Sequence, residues 1–129
     1  MHMCMHICIL QIYLYDCRMM IEPQAVSAFA AIAHADRIKA YRLLVTTGPS
    51  GLPSGEVARR LSIPPTRMSF HLSTLERAGL VCSWREGRTI RYAARYEAMR
   101  QLLAFLTEDC CDGHPEICGD LAALASACE

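Results

Sequence analysis

"LSIPPTRMSFHLSTLERAGLV" occupies residues 61–81, and its reading decides the fold. Pro65 sits where a helix tolerates proline, in the first turn, because its missing N–H has no intrahelical partner there. From that point Met68, Leu72 and Leu75 recur at spacings of four and three, which places them on one stripe of a helix. Thr66, Arg67, Ser69, Phe70 and His71 are then expected to face outward near the N-terminal end, with Ser73 and Thr74 further along. Gly79 supplies the stop. Just upstream, "GEVARRLS" reads as a short helix capped by Ser54, with Glu56 in the first turn, where the helix dipole favours an anion. Val57, Ala58 and Leu61 would form its buried face. "IPP" is a tight turn between the two. Two short helices joined by such a turn, the second with a polar leading face, predict a helix-turn-helix.

Working outward, "LVCSWREGRTIRYAA" reads as two strands around a turn at Glu86-Gly87, with Ile90 and Tyr92 on one face and Arg91 on the other. Arg85, Arg88 and Arg91 bring positive charge to its tip and flank, while Cys82 and Trp84 are better suited to the core. A hairpin directly after a helix-turn-helix is a wing. Before the motif, "EPQAVSAFAAIAHA" has apolar residues at helical spacing (Val26, Phe29, Ile32, Ala33). "ADRIKAYRLLV" repeats it with Ile38, Tyr41, Leu44 and Val45, and Asp36 as the cap. "TTGPSGLP" is a loop. A last helix, "YEAMRQLLAFLTED", carries Met99, Leu102, Leu103 and Leu106, a longer apolar stripe than one small core needs, so part of it is assigned to a subunit interface. The expected fold class is mainly α with a β-hairpin wing (α+β).

The chain has 129 residues and a formal net charge of zero, but the charge is unevenly spread. Nine arginines between Arg59 and Arg100 face only Glu76, Glu86 and Glu97, a local net of +6. From Gln101 to Glu129 there are six acids and no Lys or Arg. A basic middle favours a polyanionic partner, and an acidic tail repels one. The eight cysteines would fit a secreted disulfide scaffold only with a signal peptide. "MHMCMHICILQIYLYDCRMM" is a poor one: no basic residue precedes its short apolar stretch and no small-residue cleavage site follows. It is also too short to span a bilayer. The expected setting is a reducing cytoplasm, with no membrane partner, where clustered cysteines bind metal or react. Three regions follow. Residues 1–19 are a poorly ordered leader, with Met19 or Met20 as an alternative start; its Met3, Cys4, His6 and Cys8 have soft-metal ligand types, but disorder explains them more simply. Residues 20–107 form the folded domain. Residues 108–129 are an acidic, cysteine-rich tail.

"AIAHADRIKAYRLL", "LSIPPTRMSFHLSTLERAGLV" and "REGRTIRYAA" together resemble the ArsR family of arsenic- and metal-responsive winged-helix repressors. The resemblance runs from residue 22 to about residue 107. Its most specific parts are the Ser-x-His-Leu step at Ser69, His71 and Leu72, and "LERAGLV" running into a "REGR" wing. It implies a homodimer built through the first and last helices, a palindromic operator of double-stranded DNA, and an inducer that releases the DNA. A dimer of this kind presents two recognition helices to successive major-groove faces about 34–36 Å apart. Pro65, Thr66, Arg67, Ser69, Phe70, His71 and Ser73 would then form the contact set. Arg67 and His71 suit base edges, and Thr66, Ser69 and Ser73 suit phosphates or sugars. Phe70 either meets a thymine methyl or packs beneath the helix. Arg85, Arg88 and Arg91 would follow the backbone or minor groove.

Inducer sites in this family lie at different places on a common fold. One familiar pattern is Cys-x-Cys in the helix before the recognition helix, and "GEVARRLS" has no cysteine. Another pairs Asp/His ligands on the last helix, and "YEAMRQLLAFLTED" has no histidine. The remaining cluster, Cys110, Cys111 and Cys118, is similar to that of arsenite sensors with a C-terminal vicinal pair and a third cysteine. Three thiols can replace the hydroxyls of neutral As(OH)3, leaving an uncharged trithiolate, and Sb(III) follows the same chemistry. Gly113 and Pro115 let the chain turn back toward Cys118. His34 and His114 stand outside that ligand set. The competing readings are a zinc or cadmium site made by Cys110, Cys111, His114 and Cys118, and a thiol redox sensor. Adjacent ligands suit zinc poorly, and acidic neighbours suit a reactive thiolate poorly. No cofactor is obligatory in this reading. An enzyme is disfavoured: there is no phosphate-cradling loop, no Cys-x-x-Cys beside a strand–helix unit, and no acid–base pair.

Overall fold

Helices form where the apolar spacing requires them along residues 20–107, the part of the chain that the computed structural model describes. The order is α1 (Glu22–Ile32), α2 (Ala35–Thr47), β1 (Leu52–Pro53), α3 (Ser54–Leu61), α4 (Pro65–Arg77), β2 (Val81–Glu86), β3 (Thr89–Ala94) and α5 (Tyr96–Thr107). The fold class is as expected: mainly helical, with an antiparallel hairpin wing. The two-residue β1 joins the hairpin to give the sheet order β1-β3-β2. No helix among the described residues is long and apolar enough to cross a membrane.

The helix-turn-helix is held by its inner stripe and by the way its helices end. Met68, Leu72 and Leu75 are fully buried, and Val57 and Ala58 of α3 pack into the same core. The α3 helix closes with Ser62 in the left-handed region (φ 54°), with Ser62 N–H donating to Arg59 O and Ile63 N–H to Ala58 O at 3.0 Å. The α4 helix closes the same way: Gly79 (φ 81°) donates to Glu76 O and Leu80 to Leu75 O at 3.1 Å. Each is a double-bonded C-terminal cap that satisfies otherwise orphaned carbonyls, and the apolar residue after it, Ile63 or Leu80, is buried. The reading of the turn missed Ile63, which is buried more deeply than Leu61.

Four local details differ from expectation. The buried edge of α1 is Ala25, Ala28 and Ala31, whereas Val26 and Phe29 point outward. Small side chains let α1 lie close on the core, and the larger apolar ones are left for another surface. The cap of α2 is His34 rather than Asp36: its Nδ1 accepts from the Asp36 N–H at 3.1 Å. Ser54 is the first residue of α3 rather than its cap, and its Oγ lies 3.3 Å from Ser69 Oγ on α4. The hairpin turn is Gly87-Arg88, with the positive φ (64°) at Gly87. Trp84 is half-buried on β2, as its placement in the core anticipated in part.

The α5 helix is tied back to α2 by the Tyr96 hydroxyl, which donates to Val45 O at 2.9 Å. It also packs on α1. Ile21 beside α1, Val26 and Phe29 on it, and Leu106 on α5 remain exposed, Val26 to 60%.

Two glycines with positive φ separate close approach from simple turn geometry. A Cβ on Gly51 (φ 66°) would stand 2.1 Å from the Tyr92 carbonyl oxygen, whereas one on Gly87 (φ 64°) would meet nothing within 4 Å. Gly87→Ala should therefore cost only the left-handed backbone penalty, about 1–2 kcal/mol. Gly51→Ala should cost more than that, since β1 must also be displaced from β3. Chemical denaturation of the two variants side by side checks the order.

Candidate nucleic-acid interface

The outer face of α4 is available to a ligand because its inner edge is fully spent on the core. Pro65, Thr66, Arg67, Ser69, Phe70 and Ser73 are all exposed. Phe70 is 64% exposed, so it does not pack beneath the helix. An exposed aromatic among hydroxyls and an arginine is suited to apolar contact with a base.

His71 is a correction. It was expected on the outer face, but it is 5% exposed and sits inside. Helix geometry explains this: His71 follows Met68 by three residues and precedes Leu75 by four, which puts it on the buried stripe. Its polar ring concealed that position when the sequence was read. His71 Nε2 lies 3.6 Å from Asp36 Oδ2, and its ring centroid is 4.5 Å from that of His34, tilted by 45°. Neither ring nitrogen has a hydrogen-bond partner among the described residues. Burial, then the nearby His34 and Arg37, push the imidazole pKa down, opposed by Asp36. His71 is therefore a poor reader of base edges.

Asp36 also approaches Arg67, at 3.5 Å from Oδ2 to Nε. The guanidinium side chain is more than half exposed, so this contact holds Arg67 weakly, by about 0–1 kcal/mol, and a stronger acceptor can take it over. His34 and Asp36, at the start of α2, thus stand directly behind the leading turn of α4. Neither was assigned a place there from sequence, although the pattern His-x-Asp ahead of α2 was visible.

The arginines divide into committed and available groups. Glu56 receives Arg59 at 2.5 and 3.0 Å and Arg60 at 2.9 Å. Those bonds, Arg59's first, hold the Glu56 pKa down at about 2. Arg95 donates to Gly79 O at 3.3 Å, and Arg100 lies 3.8 Å from Glu97. Arg91 is committed within the domain. Its Nε donates to Ser50 O at 2.6 Å and its Nη2 to Gly51 O at 3.2 Å, with Glu86 at 3.4 Å. It braces β3 against the loop that precedes β1, a role the sequence did not announce. Arg85 and Arg88 are exposed, with no ion pair among the described residues. The wing's available charge therefore sits at and beside its tip. Cys110, Cys111, His114 and Cys118 lie outside the described residues.

A tri-helical core, an exposed recognition helix and a cationic hairpin define a winged helix-turn-helix, a DNA-binding fold. Residues 32–81 match a helix-turn-helix domain family, covering α2 to α4. The HTH-type transcriptional regulator YgaV of Escherichia coli is 28% identical over 88 residues, 68% of this chain and 87% of that protein. Reduced HlyU from Vibrio cholerae superposes with a TM-score of 0.52 at 31% identity, covering 65% of this chain and 88% of HlyU. An ArsR-like transcriptional regulator from a Rhodococcus species gives a TM-score of 0.59 at 28% identity, covering 83% and 94%. The chain belongs to the ArsR family of transcriptional regulators. YgaV and the Rhodococcus protein are transcriptional regulators.

If the outer face of α4 is spare, Phe70→Ala should change stability by no more than about 0.5 kcal/mol. Leu72→Ala, two residues on, should cost about 2–5 kcal/mol. Thermal melts of the two proteins test this directly.

Proposed function

We propose that the protein is a homodimeric transcriptional repressor that binds a palindromic double-stranded operator and releases it when Cys110, Cys111 and Cys118 capture As(III) or Sb(III). One observation carries the DNA reading: the exposed Thr66, Arg67, Ser69, Phe70 and Ser73 of α4 lie on a helix followed at once by a hairpin bearing the uncommitted Arg85 and Arg88. Pro65 fixes the first turn of that helix. Hydroxyls and arginines of this kind position a protein on phosphates, and Arg67 is the side chain suited to a guanine edge. The homodimer is supported by the exposed apolar residues Val26, Phe29 and Leu106 on α1 and α5, the first and last helices of the described residues, which pack together.

The inducer reading rests on chemistry. Three thiols condense with As(OH)3, releasing three waters and leaving an uncharged site, so the cluster needs no cationic partner. The cluster begins three residues beyond the end of α5, the helix assigned to the dimer. Closing a three-sulfur site there stiffens and re-aims the helix end, which alters the spacing of the two recognition helices. A coupling of about 1–3 kcal/mol, or 5- to 150-fold in operator affinity, is usual for such linkage.

A duplex selected by the protein from a random pool serves as the operator in a gel-shift assay. Arg85→Ala and Arg88→Ala should each flatten the dependence of log affinity on log salt by about 0.9, the loss of one phosphate contact. Arsenite should release the DNA from the reduced wild-type protein and leave the Cys110→Ser, Cys111→Ser, Cys118→Ser triple variant bound. A triple variant that still lets go on arsenite would remove the tail as sensor. A chain that selects no duplex would remove the repressor reading.

A further inference from the structure

We propose that His34, Asp36 and His71 form a binding site for a divalent transition cation of the zinc, cobalt or nickel class at the foot of the recognition helix, and that filling it strengthens the hold on DNA. One ligand atom from each of the three residues lies within 4.8 Å of the other two. Bonds of about 2.0–2.2 Å to a tetrahedral ion require separations of roughly 3.3 Å, so the set has to close by about an ångström and a half. His34 is exposed and can make that adjustment; His71, buried on α4, is the fixed point.

The independent observation is His71 itself. A buried imidazole with both nitrogens unpartnered is costly, and its Nε2 faces Asp36 Oδ2 at 3.6 Å. That gap is too long for a hydrogen bond but is well placed for an ion shared between them. Two imidazoles and one carboxylate, with a fourth position open to water, suit zinc-like ions. His34 gives up its cap on ligation. Coordination through Nδ1 uses the capping atom, and coordination through Nε2 places the proton on Nδ1. One hydrogen bond is a small loss against three metal bonds.

The cationic neighbours give the site its consequence. Arg37 is held by the Ala31 carbonyl at 2.5 Å, and Arg67 rests on Asp36. An ion on Asp36 repels Arg67 and takes its acceptor, so the guanidinium is released on the outer face of α4. By reciprocity, DNA that draws Arg67 away frees the carboxylate for the ion. Cation and DNA then favour each other, opposite in sign to release by the thiol tail. This coupling rests on the reading of Arg67 as a DNA contact; the site itself does not.

The test is a cobalt(II) titration of the full reduced chain, with visible ligand-field bands and near-ultraviolet sulfur-to-cobalt bands followed separately. Wild-type protein should take up one cobalt with nitrogen–oxygen character in addition to any thiolate-bound metal. His34→Asn retains a good cap and should keep the melting temperature. Together with Asp36→Asn, it should weaken that uptake by at least about tenfold and leave the sulfur bands unchanged. Absence of the nitrogen–oxygen bands in wild type, or the same bands and affinity in both variants, overturns the site. On the selected duplex, cobalt should tighten wild-type binding several-fold and leave His34→Asn unaffected. Equal tightening in His34→Asn, or no tightening in wild type, overturns the coupling. Failure of metal-free protein to select any duplex overturns the repressor reading while the cobalt result stands.

Discussion

The apolar edge of α4 can face only one way, and that constraint organises everything around it. Met68, Leu72 and Leu75 are fully buried against α2, α3 and the sheet. Removing such side chains from water is worth about 1.5–3 kcal/mol each, so the helix cannot roll to hide its outer side chains. Phe70 stays in solvent as a consequence, as do Arg67 and the hydroxyls. The capped ends of α3 and α4 add to this by fixing the angle at which one helix leads into the other. The face that can meet a ligand is therefore decided by the residues that never touch it.

Electrostatics is arranged with similar economy. The sequence places nine arginines between residues 59 and 100, but most are bound to carboxylates or carbonyls of the domain. Arg59 and Arg60 neutralise Glu56, Arg91 braces the loop before β1, and Arg95 closes over the end of α4. What is left is Arg85 and Arg88 at the hairpin, the weakly held Arg67, and the exposed Arg77, which donates only to the Thr74 hydroxyl among the described residues. Summed charge overstated how many of these arginines are left uncommitted by the domain.

Much of the fold was legible because spacing and punctuation agreed. Pro65 and Gly79 bracket α4, the Met68–Leu72–Leu75 stripe fixes its orientation, and alternating residues around Gly87 give the hairpin. The candidate surface was legible for Thr66, Ser69 and Ser73 for the same reason: they lie off the stripe. His71 was misplaced because residue type was weighed above position, although its spacing from Met68 and Leu75 marked it as internal. The bracing role of Arg91 was not legible because its acceptors are backbone carbonyls some forty residues away, which no local pattern announces. On α1 the stripe was right in period and wrong in phase. Alanines, which give a weak hydropathy signal, occupy the inner edge, and the larger Val26 and Phe29 lie outside.

The sheet also limits how copies of the chain can meet. Its outer strand β1 is two residues long and ends in Pro53, which has no N–H to offer. An extended segment from another molecule finds almost no backbone ladder to continue on that side. Polymerisation by strand addition is blocked on that side, and the six-residue β2 at the opposite edge is the strand that keeps a ladder of any length.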